Sequence, residues 1–176
     1  RPVQMINGFN EILKVYLNLS RSAIRKDSWQ HINPCDVLLV RGDGDCGFTF
    51  HGKEYAHLID TLGDLFTKHG LKVGSVATLG SKLIGKRAYH SPVSYDQSYL
   101  KIIILGKIKK FIIGSDTTKD WVESHQVGLW CKILDKASPR CVIGIQPDKY
   151  LCQAGKVKNI PVYDLQHGVI ADDHPW

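Results

Sequence analysis

The chain has 176 residues, 43% hydrophobic and 23% charged, a length and balance that suit one domain with a real core and argue against intrinsic disorder. Its formal charge of +6 and pI of about 9.0 favour acidic partners such as nucleotide phosphates, anionic glycans or an anionic membrane surface. Lys and Arg are dispersed, and no motif interleaves them with aromatics, which argues against nucleic acid.

From the front, Ile12, Leu13, Tyr16, Leu17, Leu19 and Ile24 recur at spacings near three and four, predicting an amphipathic helix within residues 8–26. Asn33-Pro34 interrupts the chain before Val37-Leu38-Leu39-Val40, an unbroken apolar run of the kind that forms a parallel strand covered on both faces. Arg41-Gly42-Asp43-Gly44-Asp45 follows. A glycine-rich turn there can offer backbone N–H groups to an anion, but it lacks the Gly-Lys-Ser/Thr of a P-loop and the full G-x-G-x-x-G of a dinucleotide site. Arg41, Asp43 and Asp45 are candidates for holding acceptor hydroxyls, against the alternative of a turn built from Asp and Gly.

Phe48 to Lys53 suits a small hairpin with Gly52 in its turn. Lys53 to His69 is expected to be a helix that buries Tyr55, Leu58, Ile59, Leu62, Leu65 and Phe66 and stops at Gly70. Leu71 to Leu79 reads as a second strand. Ser81 to Ser98 has no clear period and is expected to be mostly loop with one short helix. Tyr99 to Ile113 is expected to be a helix whose wet edge carries Lys101, Lys107, Lys109 and Lys110, with β-branched Ile102, Ile103 and Ile104 leaving a strand open.

Ser115 to Thr118 resembles a cap for a helix that holds Trp121 and Trp130 in the core and ends at Ser138-Pro139. Cys141 to Ile145 reads as a third core strand, Pro147 to Val157 as a short helix, and Val162, Tyr163 and Leu165 as a fourth strand buried in the sheet. This alternation is that of an α/β parallel sheet wrapped by helices. Both chain ends, Arg1 without a Met and Trp176 just past a strand, read as cuts in a longer polypeptide.

The polar cluster after the fourth strand, Gln166, His167, Gly168, Asp172, Asp173 and His174, falls where a parallel sheet delivers side chains to its carboxyl edge. His167 reads either as a general base, with a pKa suited to neutral pH, or as a structural His that ties down the loop. Asp173 and His174 read as a carboxylate–imidazole pair, a divalent-metal site or a solvated loop. The histidines show no tight zinc spacing. The five cysteines, Cys35, Cys46, Cys131, Cys141 and Cys152, lack C-x-x-C pairing and read as buried free thiols in a reducing cytosol. No run approaches the roughly 20 apolar residues of a membrane helix, and no signal peptide is visible.

Arg140-Cys-Val-Ile-Gly-Ile-Gln146 and Ile160-Pro-Val-Tyr-Asp-Leu-Gln-His-Gly-Val-Ile170 resemble the N-terminal Rossmann-like domain of bacterial GT-B-type glycosyltransferases of capsule and O-antigen synthesis. Asp36 to Val40, Gly52 to Tyr55, Leu58 to Asp60 and Trp130 to Lys136 fit the same pattern. Gln166-His167-Gly168 is its most specific piece, and His174-Pro175 resembles a His-Pro pair of some sialyl- and Kdo-transferases. Where several relatives carry hydroxyl-rich or basic residues after the first strand, this chain has Arg41-Gly-Asp-Gly-Asp45.

The resemblance implies one Rossmann-like α/β domain over 1–176, the acceptor-side half of a transferase. Gln166, His167 and Gly168 would line its cleft. The donor would be a nucleotide-sugar, and the acceptor a glycan or lipid-linked glycan. A C-terminal domain of the same chain would hold the donor, at the cytoplasmic face of the membrane with peripheral association. No cofactor is implied, and this segment alone would be inactive. The rival readings are a non-catalytic glycan-binding or assembly module and a stand-alone small-molecule-binding α/β domain.

Overall fold

The computed structural model describes residues 27–44, 46–113 and 116–165. In chain order these form β1 (Val37–Arg41), β2 (Cys46–Phe50), β3 (Lys53–Ala56), α1 (His57–Lys68), β4 (Val73–Ala77), α2 (Asp96–Ile113), α3 (Asp116–Ala137), β5 (Cys141–Gly144), α4 (Lys149–Lys158) and β6 (Val162–Asp164). Single 3₁₀ turns lie at Trp29–His31 and Gly85–Arg87. The helix expected within residues 8–26 lies outside the described residues.

The apolar run of β1 takes the centre of a four-stranded sheet of order β4-β1-β5-β6. All its pairings are parallel, with Val37 opposite Val73 on one side and Cys141 on the other. The chain steps from β1 to β4 and then reverses across β1 to β5, and right-handed crossovers in opposite directions put helices on opposite faces. The result is the expected Rossmann-like α/β layering.

Side chains of β1 alternate between the two faces. Leu38 and Val40 pack with Val142, Leu129, Trp130, Ile133 and Leu134 beneath α3 and α4, whereas Val37 and Leu39 pack with Ala56 and Ile59 beneath α1. Gly74, paired with Leu38, leaves room for Cys35, because a Cβ there would lie 2.8 Å from its Sγ.

The helix expected from Lys53 begins only at His57. Lys53 to Ala56 are extended and pair antiparallel with β2. The reason lies in the turn: His51 and Gly52 have φ of 50° and 74°, the left-handed pair that matches the twist of a two-residue hairpin. Long-range bonds then hold β3, since the Glu54 carbonyl accepts from Arg41 Nη2 at 2.7 Å and from the Tyr89 amide at 2.9 Å.

A second correction concerns β6, expected to be buried. It pairs only with β5 among the described strands and leaves Tyr163 55% exposed. The tryptophans divide as well: Trp130 is buried, but Trp121 is half-buried, with its ring 3.8 Å from that of His125.

The loop and helix outlines elsewhere match the pattern reading, but Leu65, expected to be buried by α1, is 49% exposed. Ser81 to Ser98 is loop with one 3₁₀ turn before α2, and α2 and α3 are helices. Asp148 caps α4 by accepting from the Tyr150 and Leu151 amides at 2.8 Å each, and Asn159 closes it in the left-handed region, as short polar residues do at helix ends. All five cysteines are free thiols, but only Cys35 is buried; Cys46, Cys131, Cys141 and Cys152, expected to be buried, are half-buried.

Candidate functional site at the carboxyl edge of the sheet

In a doubly wound sheet the crevice opens where the strand order reverses, outside the carboxyl ends of the two strands at that point. Here those strands are β1 and β5, ending at Arg41 and Gly144. The loops that rise around this point are braced on both sides. Thr78, after β4, donates its amide to the Arg41 carbonyl at 2.8 Å. The Asp43 carboxylate accepts from the Ser81 hydroxyl and, at 2.9 Å, from the Lys82 amide. On the β5 side, Asp164 accepts from the Gln146 amide at 2.8 Å, and the Leu165 amide donates to the Gly144 carbonyl at 2.7 Å.

Of the residues singled out in the sequence, Asp43 stands at this edge, with one oxygen on Ser81 and the other on Lys82. That is the arrangement of a loop brace. Arg41 is not at the surface. It is 1% exposed, and its Nε and Nη2 each lie 3.1 Å from Oδ2 of the fully buried Asp60. Asp45, Gln166, His167, Gly168, Asp172, Asp173 and His174 lie outside the described residues; the chain reaches the last of these stretches from Leu165, at the same edge.

Pattern reading missed the polar cluster built around Arg41 on the α1 side. Asp60 is in the first turn of α1 and accepts from the Ala56 amide at 2.6 Å. Burial pushes its carboxyl above the usual range, while the Ala56 amide, the Arg41 guanidinium and His90 pull it back. Arg41 Nη1 and Asp60 Oδ1 are buried without a hydrogen-bond partner.

One helical turn on, Asp64 lies with Oδ1 3.3 Å from His90 Nε2 and with Oδ2 accepting from the Tyr55 hydroxyl at 3.1 Å. Gly63 makes room for this imidazole, since a Cβ there would lie 2.6 Å from Nε2. The Tyr55 and Tyr89 rings stand 5.0 Å apart and each contacts Phe50. Burial, then Asp64, raises both phenols, which keeps them protonated as donors. His90 itself has a φ of 53° and Ser91 one of 46°, a backbone region rarely used by residues other than glycine.

The cluster combines a fixed guanidinium, a buried carboxyl and an imidazole whose buried Nε2 lies 3.3 Å from a second carboxylate without a hydrogen bond, a combination able to hold an anion or relay a proton. Its one linear signal is the pair Asp60 and Asp64, four apart and the only acidic residues of α1. His90 and Arg41 arrive from other elements.

Two surface grooves lie elsewhere, away from this chemistry. One of about 460 Å³ runs along α4 and the start of β6 by Cys152, Asn159 and Ile160, and one of about 390 Å³ lies between α2 and α3 by Trp29, Ser98 and His125. Among the described residues no three His, Cys, Asp or Glu side chains are grouped to hold a metal ion, and no helix is long and apolar enough to cross a membrane. Comparison of the chain with models of protein families, with curated proteins and with solved structures returned no match in any of the three.

Proposed function

We propose that this domain is the acceptor-side half of a GT-B-type glycosyltransferase that transfers a sugar from a nucleotide-sugar to a surface polysaccharide or glycolipid acceptor at the cytoplasmic membrane face. The observation that supports it is the exit of β6. The Leu165 amide bonds to the Gly144 carbonyl at the carboxyl edge, beside the point where the strand order reverses, and Gln166-His167-Gly168 follows directly in sequence.

In this reading His167 takes the proton from the acceptor hydroxyl as that oxygen bonds to the sugar's anomeric carbon and the bond to the nucleotide phosphate breaks. Asp173 and His174 are the alternative base pair, Gln166 and Gly168 line the cleft, and a partner domain of the same polypeptide holds the nucleotide. Asp43 acts indirectly, by fixing the loop after β1 against that after β4. Arg41 acts from beneath the surface, by orienting Asp60 and β3.

The test is nucleotide release by the polypeptide that carries both halves, over UDP-, GDP- and CMP-sugars with a lipid-linked glycan acceptor. Acceptor-dependent release is expected, and His167→Ala should lower it about 10²- to 10⁴-fold, the usual contribution of a general base. Release untouched by that variant would leave the transferase and make His167 structural. No release from folded protein with any donor would replace the transferase by a glycan-binding module.

A further inference from the structure

Helix α2 is apolar on two sides. One side is spent on packing: Gly106 is buried and faces α3, where a Cβ would overlap the Val122 side chain, and Ile102 packs against the core. On the other side Ile104, Leu105, Ile108, Phe111 and Ile112 recur at spacings of three and four, which stacks them into one stripe. All five are exposed, Phe111 by 94% and Ile112 by 73%. Large apolar side chains gathered on an open helix face mark a docking surface.

The charges that α2 itself carries after its first residue are of one sign. From Gln97 to Ile113 the helix carries Lys101, Lys107, Lys109 and Lys110 and no acidic residue. At 3.6 residues per turn, Lys107 and Lys109 fall on the two borders of the stripe, and Lys101 falls one turn before its start. The Lys109 ammonium lies 5.0 Å from the centre of the Trp121 ring, which holds that border in place.

We infer that this face of α2 docks the protein onto an anionic lipid bilayer, with the five apolar side chains entering the headgroup boundary and the lysines meeting lipid phosphates. An apolar stripe bordered by lysines is the pattern of a helix lying in a membrane interface, and an anionic leaflet attracts such lysines. The like charges argue against the other occupants. A second copy would set these lysines against themselves, and residues 9–26 of this chain, with Lys14, Arg21, Arg25 and Lys26 against Glu11, are also basic. The inference stands on α2 alone, whichever reaction the domain serves.

The test is co-sedimentation of the full chain with vesicles of phosphatidylcholine alone or mixed with phosphatidylglycerol, with sedimentation velocity in parallel. Binding to the mixed vesicles is expected to be about tenfold stronger or more, since each lysine adds attraction, and to weaken as salt shortens the range of that attraction. Phe111→Ser/Ile112→Ser, which replaces exposed side chains only, should abolish binding, and Lys101→Glu/Lys109→Glu should erase the preference for the anionic lipid. Four results would each overturn the proposal: no binding, equal binding to both vesicles, binding unchanged in both variants, or self-association that the Phe111→Ser/Ile112→Ser variant abolishes.

Discussion

Beneath α3 and α4, Leu38, Val40 and Val142 of the sheet meet Trp130, Ile133, Leu134, Leu151 and Ala154 in a cluster of buried apolar side chains. Beneath α1 the fully buried cluster is smaller, Val37 and Leu39 with Ala56 and Ile59, bordered by half-buried side chains such as Phe66, Val73 and Ile143, and the residue that continues the row along β1 is Arg41, sealed against Asp60. The first face is held by apolar area, which is strong and non-directional. The second adds to a smaller apolar cluster a set of directed bonds that join the end of β1, the hairpin and the first turn of α1 at fixed angles. A buried ion pair adds little net stability against an apolar replacement. Its role here is to orient the segments beside the carboxyl edge.

The largest expected effect breaks the apolar face. Trp130→Ala should cost about 3–5 kcal/mol in chemical denaturation, through lost burial and the cavity left behind, and it also removes the indole bond to Asp148 at 3.2 Å that holds the cap of α4. A smaller loss would mean that α3 and α4 collapse into the space.

On the opposite face, Arg41→Met alone should cost about 3 kcal/mol because it leaves Asp60 buried and unpaired. Arg41→Met/Asp60→Leu should recover part of that loss, and full recovery is not expected because Glu54 and Ala56 lose their partners. If the double variant is no better than the single, the pair itself holds the fold and the contrast between the faces is wrong.

The smallest effect sharpens the comparison through pH. Burial pushes the Cys35 thiol, on the apolar face, from 9.0 up to about 11, partly offset by a hydrogen bond with the Gly74 backbone. Between these values the unfolded chain has released the proton and the folded chain still holds it, so the folded state binds more protons and stability falls as pH rises through this window. Thermal unfolding followed from pH 8 to pH 11 should show a falling midpoint, and Cys35→Ala should make the fall shallower, with the remainder coming from Cys131, Cys141 and Cys152, whose thiols burial also raises. The Tyr95 phenol, also raised by burial, extends the decline to higher pH in both proteins.

The elements whose outlines were legible are those whose pattern is local. The apolar run at Val37 to Val40, the helix that holds Trp130 in the core and ends at Ser138-Pro139, and the short helix after Pro147 each state their structure within a few residues. Lys53 to Ala56 misled because their strand depends on a turn at His51-Gly52 and on bonds from Arg41 and Tyr89. The crevice between β1 and β5 was legible only as loops after strands. The cluster beside it was hidden, because Arg41, Asp60 and His90 lie far apart in the chain, and pairing across such distances leaves no periodic trace.

The sequence by itself determined the parallel α/β class, since unbroken apolar strands between amphipathic helices can bury their surface in few other ways. It also determined the basic, apolar character of α2. Only the tertiary structure decided which strand lies at the edge, that Arg41 turns inward to Asp60 while Asp43 braces a loop, and which apolar side of α2 stays open. Each of these turns on which neighbour covers a surface, and a side chain's own sequence does not say whether a neighbour will come.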